Sequence, residues 1–149
     1  MKASFGYKNY SDNFLKDILQ EVKTIAVIGA SSKKDRASYK VMKFLLEKGY
    51  KIFPVNPYEL ENKILGQKCH EDLYSIKNTV DMVNVFRANE AVLNISKQAI
   101  KIGAKVLWTQ ENIIHYEAAE LAKNAGIKVV MDRCPKKELL KPYWTTKTK

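Results

Sequence analysis

Hydrophobic positions along the chain fall into two alternating rhythms. Short apolar runs rich in β-branched residues occupy 24–29 (TIAVIG), 50–55 (YKIFPV), 79–86 (TVDMVNVF), 104–108 (AKVLW) and 127–131 (IKVVM). They are too short for helices and apolar throughout, which is the pattern of strands buried on both faces. Between them the spacing turns helical. An N-terminal helix is predicted over 11–22, with Ser11 and Asp12 as caps and Phe14, Leu15, Ile18, Leu19 and Val22 on one stripe. Val41, Phe44 and Leu45 recur before Gly49, and Val92, Ile95, Ala99 and Ile102 before Gly103; an alanine-rich helix ends at Gly126. Three times a helix ending in glycine gives way at once to a strand. This repeated alternation predicts a doubly wound, Rossmann-like parallel sheet of about five strands, α/β in class, with right-handed crossovers. Residues 24–140 form the core of one domain spanning 1–149. The polar stretch 56–78 reads as a connection holding a short strand or helical turn, and 136–140 as a short helix before a tail (141–149) that Tyr143 and Trp144 would tie down.

Composition narrows the class. The 149 residues are 46% hydrophobic and 28% charged, which suits a globular core, and no run approaches a membrane span or a signal peptide, so a cytoplasmic protein is expected. Cys69 and Cys134 match neither a disulfide framework nor a metal motif, and His70 and His115 lack metal-ligand spacing. The net charge of +10 raises nucleic acid as a partner, but the lysines are spread along the chain as on a solvated surface. Arginine is scarce: Arg36, Arg87 and Arg133 are the only three.

In a sheet of this kind ligands bind beyond the carboxyl ends of the strands. Five stretches converge there: GASSKKDRAS, PVNPY, FRANE, WTQEN and MDRCP. Gly29 suits a tight turn, and Ser31, Ser32 and Ser38 lie by a helix start, where N–H groups and the dipole favour an anion; the alternative is a plain turn with capping serines. A dinucleotide fingerprint is not met. Ala30, Ser31, Ser32, Lys33 and Lys34 follow Gly29 without the second and third glycines, and the second strand ends in PVNP rather than an acid, so NAD(P) is disfavoured. Pro54 and Pro57 stiffen their segment into a wall for a flat base or simply a rigid exit, with Asn56 between them. Each arginine falls in one of the five stretches, so the three together suggest an anion-binding cluster, although any one alone suits a surface ion pair. Trp108 reads more readily as core than as platform, Gln110 stays ambiguous, and His115 suits a helix cap.

Taken in order, these motifs resemble the small stand-alone coenzyme A-binding proteins, which share their fold with the N-terminal domain of the succinyl-coenzyme A synthetase alpha subunit. The resemblance runs from about residue 25 to 139. It implies that Gly29, Ala30, Ser31 and the helix start near Ser38 hold the diphosphate of coenzyme A or an acyl-coenzyme A, with Arg36 reaching a phosphate. It also implies that Asn56 and Pro57 border the adenosine, that Phe86 and Arg87 line the same cleft, and that Trp108, Gln110, Arg133 and Cys134 lie nearer the pantetheine arm. Two departures stand out: consecutive lysines in SSKKD, and Asn112 where a glycine is common. A ligand with a diphosphate and a 3′-phosphate suits a helix start flanked by cations and needs no acid for a free ribose hydroxyl. The larger synthetases add a domain with a phosphorylated histidine and a partner subunit, for which the sheet leaves no room, and no nucleophilic triad is arguable. A binding protein, monomeric or homodimeric, is expected. Cys134 beside Arg133 is either an inert core thiol or one activated toward a mixed disulfide with coenzyme A.

Overall fold

A computed structural model of the chain describes residues 9–142; Tyr143 and Trp144 lie outside them. Its elements are α1 (Asp12–Glu21), β1 (Thr24–Ile28), α2 (Ala37–Glu47), β2 (Lys51–Val55), β3 (Lys63–Ile64), β4 (Gln67–Lys68), β5 (Met82–Val85), α3 (Val92–Lys101), β6 (Val106–Thr109), α4 (Tyr116–Asn124), β7 (Lys128–Val130) and α5 (Pro135–Leu139). The main sheet has five parallel strands in the order β2-β1-β5-β6-β7. The chain moves outward from β1 first to one side and then to the other, so the topological switch lies between β1 and β5.

Burial explains the uninterrupted apolar runs. Ile25, Val27, Ile52, Met82, Val106, Trp108 and Val130 pack on the face covered by α1, α2 and α5. Ala26, Ile28, Phe53, Val55, Val83, Val85, Leu107 and Val129 pack on the face covered by α3 and α4. Successive strand residues thus feed opposite cores, and the strand interiors are apolar apart from buried polar groups with partners, such as Asn84 of β5, whose Nδ2 donates to Trp108 O.

Three helices close alike. The amides of Tyr50, Ala104 and Ile127 reach back to Leu45, Ala99 and Ala122, with Gly49, Gly103 and Gly126 between at φ of 98°, 77° and 88°. The next strand starts within three residues. Pro54 is accommodated because β2 is an edge strand.

The polar stretch after β2 is more ordered than its pattern suggests. β3 and β4 form a two-stranded hairpin through Leu65 and Gly66, both at positive φ, and a 3-10 turn follows at Leu73–Ser75. His70 pairs with the end of β2, its amide donating to Pro54 O and its carbonyl accepting from Asn56 N. This pairing fixes where the loop after β2 leaves the sheet.

Candidate functional site

Gly29 leaves β1 at φ +86°, and a Cβ built there would sit 2.7 Å from Phe86 O and 3.1 Å from Arg87 Cδ. The loops after β1 and β5 therefore meet at the switch point only because this position has no side chain. The Gly29 and Ala30 amides both donate to Val55 O, and Phe86 N donates to Ile28 O, which binds the three strand ends into one floor.

Asn56 clamps the next loop onto the first. Its Nδ2 donates to Ala30 O (2.8 Å), and its Oδ1 accepts from Tyr58 N (2.9 Å). Its side-chain groups are thus engaged within the protein. Above this floor opens a cleft of about 520 Å³ lined by Gly29, Asn56, Pro57, Tyr58, Phe86 and Arg87, with Glu71 and Asp72 on one wall and Asn94, Ile95 and Gln98 of α3 on another. Its volume is in the range of small-ligand sites.

Beside the cleft the first loop runs into α2. Ser31 Oγ accepts from Lys33 N (3.0 Å), and Arg36 N donates to Lys33 O. α2 has Arg36 at its N-cap position, with no side-chain cap bond and no acidic residue in its first turn. Its first N–H groups are therefore available to an anion. Ser38 is buried on the inner side of the helix, Ala30 is fully buried, and Arg36 is exposed at the cap position. The amide of Ser32 already holds an anion: it donates to Glu59 Oε2 at 3.1 Å.

At the other half of the carboxyl edge the side chains turn inward. Trp108 is fully buried, and its indole N–H donates to Arg133 O (2.9 Å). The Arg133 guanidinium lies 5.2 Å from the centre of the Tyr10 ring and donates to Asp132 O. The Tyr10 hydroxyl in turn accepts from Met131 N (2.8 Å), and burial pushes its pKa up to about 12. The three guanidiniums stand in different settings: Arg87 lines the cleft, Arg36 is exposed at the N-cap position of α2 without a side-chain cap bond, and Arg133 lies over an aromatic ring supplied by the segment before α1.

Asn112 and Asp132 both adopt positive φ, and the Asn112 amide donates to the Asp132 carboxylate. Asparagine tolerates that conformation, so the missing glycine leaves this turn intact. Gln110 Oε1 is buried with no hydrogen-bond partner among the described residues. Cys134 is buried at the cap of α5, and His115 caps α4, its Nδ1 accepting from Ala118 N.

Sequence patterning overlooked Tyr58, Glu59, Asn94 and Gln98. Asn94 and Gln98 are four apart on α3 and flank the buried Ile95, a polar pair at helical spacing that marks them in retrospect. Glu59 carries no such signal, because its role depends on the turn at 56–62.

A larger hollow, about 610 Å³, opens at the opposite edge of the sheet, lined by Val22, Asp81, Gly103, Lys105, Gly126 and others. The Asp81 carboxylate there is occupied by the Lys23 and Thr24 amides. That edge carries the amino ends of the strands, where this class of sheet does not bind its ligands.

Residues 23–139 match the model of the CoA binding domain. The chain belongs to that family. It is 38% identical over 129 residues to the uncharacterized protein YneT of Bacillus subtilis, covering 87% of this chain and 94% of that one. It is 36% identical over 122 residues to the alpha subunit of the ADP-forming acetate–CoA ligase I of Pyrococcus furiosus, covering 72% of this chain but only 26% of the ligase subunit. A solved structure of a hypothetical protein from Pyrococcus horikoshii superposes with a TM-score of 0.84 at 38% identity, covering 88% of this chain and 91% of that one. Among the described residues no helix is long and apolar enough to cross a membrane.

The donor set fits the coenzyme that the family name implies. A helix start without an acid, a loop amide that already receives a carboxylate and an arginine in the cleft suit phosphates. Asn56 stands where a nicotinamide-dinucleotide site would carry an acid, and its side chain is already bonded.

Proposed function

We propose that the cleft at the β1–β5 switch binds coenzyme A or an acyl-coenzyme A, with the diphosphate at the loop between β1 and α2. The observation that carries this reading is the approach of the Gly29 turn to Phe86 and Arg87, which puts the residue that opens the loop to the uncapped α2 and a guanidinium on the wall of one cavity. Bound coenzyme A supplies a thiol able to carry an acyl group.

The chain's own residues have separate tasks in this scheme. Loop and α2 amides donate to the diphosphate, and Arg87 adds a charged fork. Arg36, exposed at the cap, reaches a phosphate from the solvent side. Pro57 and the half-buried Phe86 flank the adenosine, while Asn56 acts at one remove by holding the two loops together. Gln110 offers its orphaned oxygen to a pantetheine amide N–H, a need that a buried acceptor without a partner creates. Trp108 supports the loop around Arg133 from below, and Cys134 is the thiol of that same region.

Calorimetric titration with coenzyme A, NAD and a short DNA duplex tests the reading. Saturable binding of coenzyme A with no heat from NAD supports it. Binding of NAD alone, or of DNA alone with steep salt dependence, refutes it.

A further inference from the structure

The loop assigned to the diphosphate is not empty of anions: Glu59 Oε2 lies 3.1 Å from the Ser32 amide. Four features make this contact unusual. The donor sits between Ser31, whose hydroxyl shapes the turn, and the cations Lys33, Lys34 and Arg36. Hydrogen bonds from the Ser32 hydroxyl and backbone, with help from Asn62 and the Lys33 charge, hold the Glu59 carboxyl below its ordinary range against the cost of desolvation. Glu59 rides on a run of turns, Glu59 N to Asn56 O and Asn62 N to Glu59 O, that Asn56 ties to Ala30. Finally, the carboxylate is only half-buried, so its release into water carries a small penalty.

We propose that Glu59 is an internal anion that holds the ligand-free loop in its receiving shape and is displaced when a phosphate of the ligand takes the Ser32 amide. This rests on the coenzyme A reading of the cleft and adds how binding there is set. A single N–H does not serve two full anions at once, and a carboxylate left beside an incoming diphosphate repels it. Glu59 therefore keeps the donor oriented while lowering affinity for the ligand. It also selects for ligands whose charge outweighs one carboxylate, so that a nucleoside without phosphate leaves it in place.

The test compares coenzyme A affinity by calorimetry in the full chain, in Glu59→Ala, in the shape-preserving Glu59→Gln and in Glu61→Gln. Glu61→Gln removes the same charge from an exposed position two residues away. In roughly 0.5 M salt, where through-space effects are damped, Glu59→Ala is expected to tighten binding about fivefold or more, in keeping with loss of a competing charge-assisted bond. Glu59→Gln should tighten it less, and Glu61→Gln should change it less than about twofold. Unchanged or weaker binding in both Glu59 variants, with the unmodified chain binding normally, overturns the displacement and leaves the coenzyme A reading standing. No binding of coenzyme A to any of the four proteins overturns both.

Discussion

At the β1–β5 end of the carboxyl edge, Gly29, Asn56, Pro57, Phe86 and Arg87 line one cleft. At the β6–β7 end, the Trp108 indole has turned onto the Arg133 carbonyl and the Arg133 guanidinium onto the Tyr10 ring. Both ends follow apolar strands, and both carry an arginine and an aromatic residue. What separates them is the neighbour. Position 29 has no side chain, so two loops close together and leave their polar groups facing outward. Beyond β6 and β7 a buried indole and a ring from the start of the chain offer partners that draw polar groups inward. A residue's place at a strand end thus fixes which edge it serves, while the partners within reach decide whether it faces a ligand.

The sharpest way to break this contrast is at Gly29. Gly29→Ala needs a left-handed backbone and puts a methyl against Phe86 O, so a loss of about 2–3 kcal/mol of stability is expected, with coenzyme A binding abolished. Gly49→Ala is the control. It shares the positive φ but has nothing within 4 Å, so it should cost about 1 kcal/mol and leave binding intact. Denaturant melts and titrations of both variants read the difference, and equal losses would show that close approach at the switch point is unimportant.

Arg87→Ala comes next. It should weaken coenzyme A binding about tenfold or more with an unchanged melting temperature, since the side chain is exposed and faces the cleft. An affinity within a factor of about two of the unmodified chain would remove Arg87 from the site.

Trp108→Phe probes the inward-turned half. Losing the indole bond to Arg133 O should cost about 1 kcal/mol in stability, with binding altered less than about threefold. A larger fall in affinity than in stability would place Trp108 against the ligand.

The smallest effect concerns alkaline pH. The Tyr10 hydroxyl is raised by burial from 10.0 to about 12 in the folded chain. Its contribution to stability is therefore complete below pH 10 and lost as the pH climbs toward 12. Relative to Tyr10→Phe, the unmodified chain should lose stability between about pH 10 and 11.5 and show a constant difference below that window. A pH-independent difference would mean that the hydroxyl is not held as described.

How much of this was legible in the sequence follows from the range of each cause. The five strands and their helices could be read from Thr24 to Met131 because burial on both faces writes itself into every residue, and Gly49, Gly103 and Gly126 mark closures made within five residues of chain. The stretch 56–78 was legible only as a connection with a short strand or helical turn, and the pairing at 63–68 was not, because two-residue strands leave too short a period. Among the candidate site residues, Gly29 and Arg87 could be placed by topology. The fate of Arg133 could not, since its partner Tyr10 comes from the opposite end of the chain. Nor could Glu59, whose role exists only where the turn after β2 folds back on the loop after β1.

The most direct measurement is a map of backbone amide shifts on titration with coenzyme A. Expected are saturable shifts at Gly29, Ser31, Ser32, Tyr58 and Arg87, with Gly103 and Gly126 at the opposite edge unmoved. Shifts confined to that opposite edge, or none at saturating coenzyme A, would contradict a cleft at the β1–β5 switch.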